Sequence, residues 1–164
     1  MKEIVSAANP ESSSIAIRSA EPADAVFFEK LYVLSRRDEF AILGWNDEQL
    51  EAFLKMQFDI QTRGYQTQFP EAQNFVIETE GEPAGRLITT DEILLVDIAV
   101  RPDLRGRGIG TAVLKHLQAE AAARSKPIFL QVLKTNAGAI RLYERLGFAR
   151  AGETDLYLSM RWQK

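Results

Sequence analysis

The run Ile93-Leu94-Leu95-Val96-Asp97-Ile98-Ala99-Val100 is apolar in both of its alternating sets except at Asp97. A strand that faces water on one side alternates apolar with polar residues, so this one must be covered on both faces. The fold therefore needs layers above and below a sheet, and Pro102 ends the strand. Asp97, the single carboxylate of the run, is predicted to share a face with Leu95 and Ala99. Burial there would raise its pKa toward that of a usable base, while a hydrogen bond to backbone is the ordinary structural alternative.

The remaining chain supplies the layers. Residues 7–14 are small and polar around Pro10, so residues 1–14 are expected to be a flexible leader and 15–164 one domain. A short strand begins at Ile15, and Pro22 opens a helix with Phe27, Leu31 and Leu34 at helical spacing. The mixed-sign run Arg36-Arg37-Asp38-Glu39 reads as a solvated loop. Asp47 is predicted to cap a second helix with Leu50, Phe53, Leu54, Gln57 and Phe58 on one face, ending by Gly64, with Tyr65 to Pro70 as a loop. A hairpin follows, Phe75 to Ile77 and Gly85 to Thr90, turning at Glu80 to Pro83. After the doubly apolar strand come a helix with Ile109, Val113, Leu117 and Ala121 inward, a strand from Ile128 to Leu133, and a helix capped by Asn136 and stopped at Gly147. Asp155 to Trp162 closes the chain with a final strand or two. This order is mixed α/β rather than a series of βαβ repeats.

Composition removes several functions. The 164 residues contain no cysteine and one histidine, His116, which leaves no thiolate metal site, no His cluster and no cysteine nucleophile. With 20 basic against 23 acidic residues the net charge is -3, so the field that draws nucleic acid is missing. The N-terminus lacks the apolar run of a secretory signal, and no segment approaches the ~20 apolar residues of a membrane span. A cytoplasmic protein, with no nucleic-acid, membrane or metal partner, is expected. His116, one position from the inward Leu117, is assigned no role.

The segment Arg105-Gly106-Arg107-Gly108-Ile109-Gly110 joins the buried strand to a helix N-terminus, where unpaired N–H groups and the helix dipole favour an anion. Glycines let phosphate oxygens come close and the arginines add forked donors, so a pyrophosphate suits the loop. A turn with merely solvated arginines is the competing reading. A dinucleotide fingerprint would need glycine at Thr111, and a nucleotide-hydrolysing loop would need Gly-Lys-Ser/Thr there, so neither template fits.

Val100-Arg101-Pro102 with Arg105-x-x-Gly108-x-Gly110 resembles the acyl-CoA signature of the GNAT superfamily of N-acetyltransferases. Asn136-x-x-Ala139-x-x-Leu142-Tyr143-Glu144-Arg145-Leu146-Gly147-Phe148 is similar to the family's distal motif, and together the blocks span most of residues 74–162. The resemblance implies a central, mostly antiparallel sheet splayed between its fourth and fifth strands, flanked by about four helices, with acetyl-CoA as acyl donor. It implies that backbone groups of Ile98, Ala99 and Val100 pair with the pantetheine arm. Arg105, Gly106, Arg107, Gly108, Ile109, Gly110 and Thr111 would hold the pyrophosphate. Tyr143 matches the tyrosine that the family places near the CoA sulfur as general acid, and Asn136 adds a cofactor contact to its cap, although Gly138 stands where many relatives carry proline.

The implied reaction is acetyl transfer to a primary amine of a small molecule or peptide by direct attack in a ternary complex. A non-catalytic acyl-CoA-binding or regulatory domain is the first alternative, and a phosphate site for another nucleotide the second. The base is either Asp97 or a water chain. Trp45, Gln57, Tyr65 and Phe69 are the candidates for acceptor recognition, because loops on a rigid scaffold carry specificity. Homodimers are common in the family, and no exposed stripe in this sequence argues for one.

Overall fold

The doubly apolar strand lies fourth in a seven-stranded sheet. The structure is a computed structural model that describes residues 15–164, so the expected leader, residues 1–14, lies outside the described residues. In chain order the elements are β1 (Ile15–Ser19), α1 (Ala25–Arg36), α2 (Asp47–Gln68), β2 (Gln73–Thr79), β3 (Glu82–Thr89), β4 (Leu94–Val100), α3 (Ile109–Ala123), β5 (Ile128–Leu133), α4 (Ala137–Arg145), β6 (Ala149–Glu153) and β7 (Tyr157–Trp162). The sheet order is β1-β2-β3-β4-β5-β7-β6. All neighbours pair antiparallel except β4 and β5, which run parallel because α3 carries the chain back between them.

Alternation along the strands sorts the helices onto two faces. Leu87 and Thr89 face α3, lining one cavity with His116 and Leu117, whereas Arg86 and Ile88 face α1 and α2 beside Phe28 and Phe58. Helix α4 packs next to α3, with Gln118 Nε2 donating to the Leu146 carbonyl at 2.7 Å. The main core lies under α3 and α4 and includes Leu87, Leu95, Val113, Leu114, Leu130, Tyr143 and Met160. Two smaller clusters, Phe28-Phe58-Val76 and Val33-Leu50-Leu54, fasten α1 and α2.

Several local expectations change. Helix α2 continues past Gly64 to Gln68, and Phe69 N still donates to Tyr65 O at 2.8 Å. Gly64 lacks the positive φ of a terminating glycine, so here it is an interior helical residue at a cost of about 1 kcal/mol. The cap of α2 is Asn46 rather than Asp47, in a reciprocal box with Gln49. In α1 the inward positions are Phe28, Leu31 and Val33, while Leu34 is exposed. The Arg36 to Glu39 stretch is no loop: a 3-10 segment runs from Arg37 to Leu43, with surface pairs Arg36–Glu39 and Arg37–Asp47. Asn136 does cap α4, accepting from Ala139 N at 3.1 Å, and Gly147 turns the chain with φ +84. No helix among the described residues is long and apolar enough to cross a membrane.

Candidate active site

Strands β4 and β5 pair only at Leu94 with Phe129 and Leu95 with Leu130, then separate. The departure coincides with a bulge. Asp97 stands opposite Ile88 and Leu95 opposite Thr89, so Val96 is an extra residue on β4. Cross-strand partners share a face. Leu95 therefore points with Thr89 toward α3, while Asp97 points with Ile88 toward α1 and α2. The expected common face of Asp97 and Leu95 is thus broken by one residue, and Ala99, opposite Arg86, keeps company with Asp97.

The same ladder decides which backbone groups are left for a ligand. Arg101 N donates to Ala84 O at 2.8 Å, so by antiparallel alternation Ala99 bonds toward β3 while Ile98 and Val100 turn their N–H and C=O toward the gap. Arg105 Nε donates to the Val100 carbonyl at 3.2 Å and ties the following loop to the strand end.

In that loop Gly106 and Gly108 have φ of +76 and +81, and a Cβ on either would meet nothing within 4 Å. Both openings face free space where a bulky ligand fits. Ala112 N to Gly108 O, at 2.9 Å, is an opening bond of α3, so the N–H groups of Ile109, Gly110 and Thr111 have no partner inside the helix. Gly108 caps the helix without a side-chain bond, and the buried Ile109 anchors it. Arg105 and Arg107 are exposed beside these amides. Open glycines, unpaired N–H groups and two guanidinium groups suit the pyrophosphate of a CoA-type cosubstrate.

Tyr143 is buried, its ring 5.6 Å from that of Phe148. Burial, then the negative charge of Asp97, pushes its hydroxyl pKa up to about 12. Asp97 is half-buried, its carboxylate set between the sheet and the α1-α2 face. Its pKa is raised by burial, against the pull of Arg86, the Ile98 amide and Arg36. Tyr65 is likewise raised, by burial first and by Asp97 second. The field of one carboxylate thus reaches a tyrosine from α4 and another from α2, on opposite faces of the sheet.

A pocket of about 510 Å³ opens beside the gap, lined among others by Tyr65, Phe69, Val96, Gln131, Tyr157 and Ser159. Tyr65 lies in the last turn of α2 and Phe69 is its C-cap, with ring centroids 6.4 Å apart. Gln57 and Trp45 do not line this pocket; Trp45 instead stands edge-on to Phe53 at 5.2 Å. A second cavity of about 520 Å³ lies between α3 and β1 to β3, with His116, and touches none of the gap residues. Size alone does not choose between them; the titratable groups and free backbone do. Arg86 and Tyr157 were not anticipated. The signal for Arg86 was present, because it is a lone charge in the apolar stretch Ala84 to Ile88.

Residues 28–148 match the model of the Acetyltransferase (GNAT) family. The chain is 43% identical over 82 residues to the [Ribosomal protein bS18]-alanine N-acetyltransferase of Escherichia coli strain K12, covering 48% of this chain and 55% of that protein. It therefore spans about half the length of the curated relatives it matches. Among solved structures, the PaiA N-acetyltransferase from Thermoplasma acidophilum in complex with coenzyme A superposes with a TM-score of 0.69 at 14% identity, covering 92% of this chain and 99% of that one. The ribosomal-protein-S18-alanine N-acetyltransferase from Escherichia coli gives a TM-score of 0.59 at 26% identity, covering 91% and 93%.

Proposed function

The chain belongs to the GNAT acetyltransferase family, and from that premise we propose that it transfers an acetyl group from acetyl-CoA to a primary amine by direct attack in a ternary complex. The observation that carries this reading is the gap between β4 and β5, with Asp97 on one side, Tyr143 on the other, and Gly106 to Thr111 at its end. Acetyl-CoA supplies the acetyl group as an activated thioester. The backbone of Ile98 and Val100 and the amides of Ile109 to Thr111, with Arg105 and Arg107, are the groups that would hold it. Asn136 is spent on its cap through Oδ1, which leaves its amide nitrogen for a contact.

The acceptor amine must lose a proton before or as it attacks, because an ammonium has no lone pair. An α-amine of pKa near ~7.7 is partly free at neutral pH, whereas an alkyl amine near ~10.4 needs a base. Asp97, raised by burial and lying on the α1-α2 face, accepts that proton directly or through water. The new bond is N–C and the broken bond C–S. At about 12, Tyr143 stays protonated at neutral pH; full proton donation to a thiolate of pKa about 8.5 would be uphill. Its role is therefore to donate a hydrogen bond to the sulfur as negative charge develops, a stabilisation that a dry site strengthens. Tyr65 and Phe69 wall the acceptor side.

Such a reaction needs no cysteine, and a cytoplasmic location suits an enzyme that uses acetyl-CoA. The relative named for a ribosomal-protein alanine supports a protein N-terminus as one acceptor class. The test is release of free CoA thiol with purified protein, acetyl-CoA and a panel of peptides, amino acids and polyamines, with mass spectrometry of the product. Absence of both thiol and N-acetyl product across the panel would overturn the assignment.

A further inference from the structure

Arg86 is 6% exposed, the one buried charged residue among the described residues, and no carboxylate among them lies within ion-pair distance of it. A buried charge is normally paired, because its desolvation is otherwise uncompensated. Here Nε and Nη2 both donate to Asn74 Oδ1, at 3.2 and 2.8 Å, and the guanidinium lies over the rings of Phe28 at 4.9 Å and Phe58 at 5.8 Å. Asn74 thus occupies the side-on fork. The end-on fork, Nη1 with the outer hydrogen of Nη2, has no partner among the described residues, and Nη1 is not sealed from open space.

Arg86 lines a pocket of about 460 Å³ between α1, α2 and the sheet. Thr62 of α2 lines it too, and its Oγ1 is a buried hydroxyl without a hydrogen-bond partner. The open donor in this recess is therefore Nη1 of Arg86, while the Thr62 hydroxyl lies sealed behind the lining. That recess joins the candidate site: Tyr65 and Phe69 line both pockets, and Ile88 in its wall stands directly opposite Asp97. Apolar walls of Phe28, Phe58 and Phe69 surround the charged end.

We propose that this recess binds a carboxylate of the acceptor, held end-on by Arg86. The acceptor class is an amine whose own skeleton carries a carboxylate and an apolar spacer, with its ammonium toward Asp97. The inference rests on the acetyl-transfer reading for the role of the amine. The carboxylate site stands without it, since binding needs no turnover. A planar guanidinium end matches two carboxylate oxygens, and a site built this way rejects the uncharged isostere strongly. Polyamines, which would bring a cation to Arg86, are excluded as acceptors by the same charge.

The experiment compares acids with their amides in the presence of CoA: phenylalanine, 4-aminobutyrate and 6-aminohexanoate, and the peptide Ala-Glu-Phe-amide against Ala-Gln-Phe-amide. Binding is read by calorimetry and turnover by thiol release. The expected result is a preference for at least one acid over its amide on the order of 100-fold. A hit confined to free amino acids identifies a backbone carboxylate, and a hit confined to the Glu peptide identifies a side-chain one. Arg86→Lys keeps the charge but loses the fork and should reduce that preference about tenfold or more. The variant is checked for an unchanged CoA-induced shift in Tm, which a misfolded protein would lack. Equal binding of acid and amide by the unmodified protein across the panel, or an acid preference untouched in the folded Arg86→Lys variant, overturns the proposal. Acid-selective binding without any acetyl transfer would overturn the enzymatic reading and leave the carboxylate site standing.

Discussion

A Cβ placed on Gly85 would overlap the carbonyl oxygen of Ala99 on the neighbouring strand, with Ile77 Cδ1 at 3.1 Å behind it. The backbones of β3 and β4 approach so closely there that only glycine fits. The obstacle is main chain, so it cannot swing aside. Gly85→Ala should cost about 1–3 kcal/mol, the range for overpacking a well-filled interior. Because Ala99 and Asp97 share a strand face, the displaced strand should also lower turnover. Urea denaturation and thiol-release kinetics on the same preparation measure both effects.

Asp97→Asn should separate function from stability. A carboxylate whose folded pKa is raised above its unfolded value binds its proton more tightly when folded. Its contribution to stability is therefore greatest at low pH and falls as pH rises from the unfolded value through the raised one. Above its raised pKa the charged, enclosed Asp97 is a net liability, so in that range the amide variant should melt at the same temperature or higher. Turnover with an alkyl amine should fall about 100-fold, and the rise of kcat/KM through the acid limb ascribed to Asp97 should disappear. Melting curves and a pH–rate profile check the two halves independently.

Tyr143→Phe keeps the ring beside Phe148 and removes the hydroxyl. Stability should change by less than about 1 kcal/mol, since only one hydrogen-bonding group is lost. The rate should drop by roughly 10- to 100-fold with KM for acetyl-CoA nearly unchanged, the signature of an interaction made mainly in the transition state.

Gly108→Ala tests the loop. With φ at +81 and open space around it, an added methyl collides with nothing in the protein, and the strain of the left-handed conformation is all that the fold feels. That strain is about 1–2 kcal/mol. Affinity for CoA should fall well beyond this, because the methyl occupies the cradle. Calorimetric titration of CoA against a denaturation curve distinguishes ligand loss from strain.

Asp24 is held at a pKa of about 2, chiefly by its hydrogen bond from Arg18, whose Nη1 lies 2.7 Å from its carboxylate. A depressed carboxylate stabilises above its unfolded pKa and loses that contribution as pH falls from 3.8 through the folded value. Asp24→Asn should therefore reduce stability at pH 7 and reduce it progressively less below pH 3.8. Thermal melts across that window are the check.

Much of the layout was legible because local periodicity is a local matter. The apolar run Ile93 to Val100 announced a covered strand, Asn136 and Gly147 marked the ends of α4, and the spacing of Arg105, Gly108 and Gly110 marked the loop before α3. Gly64 misled because a glycine's identity does not say whether its φ is positive; the contacts of Tyr65 and Phe69 kept the helix going. Strand β6 carries no periodic signal, being exposed along its whole length, and exists because β7 offers it an edge.

What the sequence by itself determined is the set of elements, the doubly covered strand and the chemistry of the loop, since each depends on residues within a few positions of one another. The tertiary structure alone decided which face Asp97 takes. A single extra residue at Val96 reverses the alternation, and whether a bulge occurs depends on the register against β3, which the alternation within β4 does not contain. It also decided that Arg86, Thr62 and Tyr65, from one strand and one helix, meet around a common recess. Burial of a charge is a property of everything packed around it, so its unsatisfied hydrogen-bonding capacity appears only once the chain has folded.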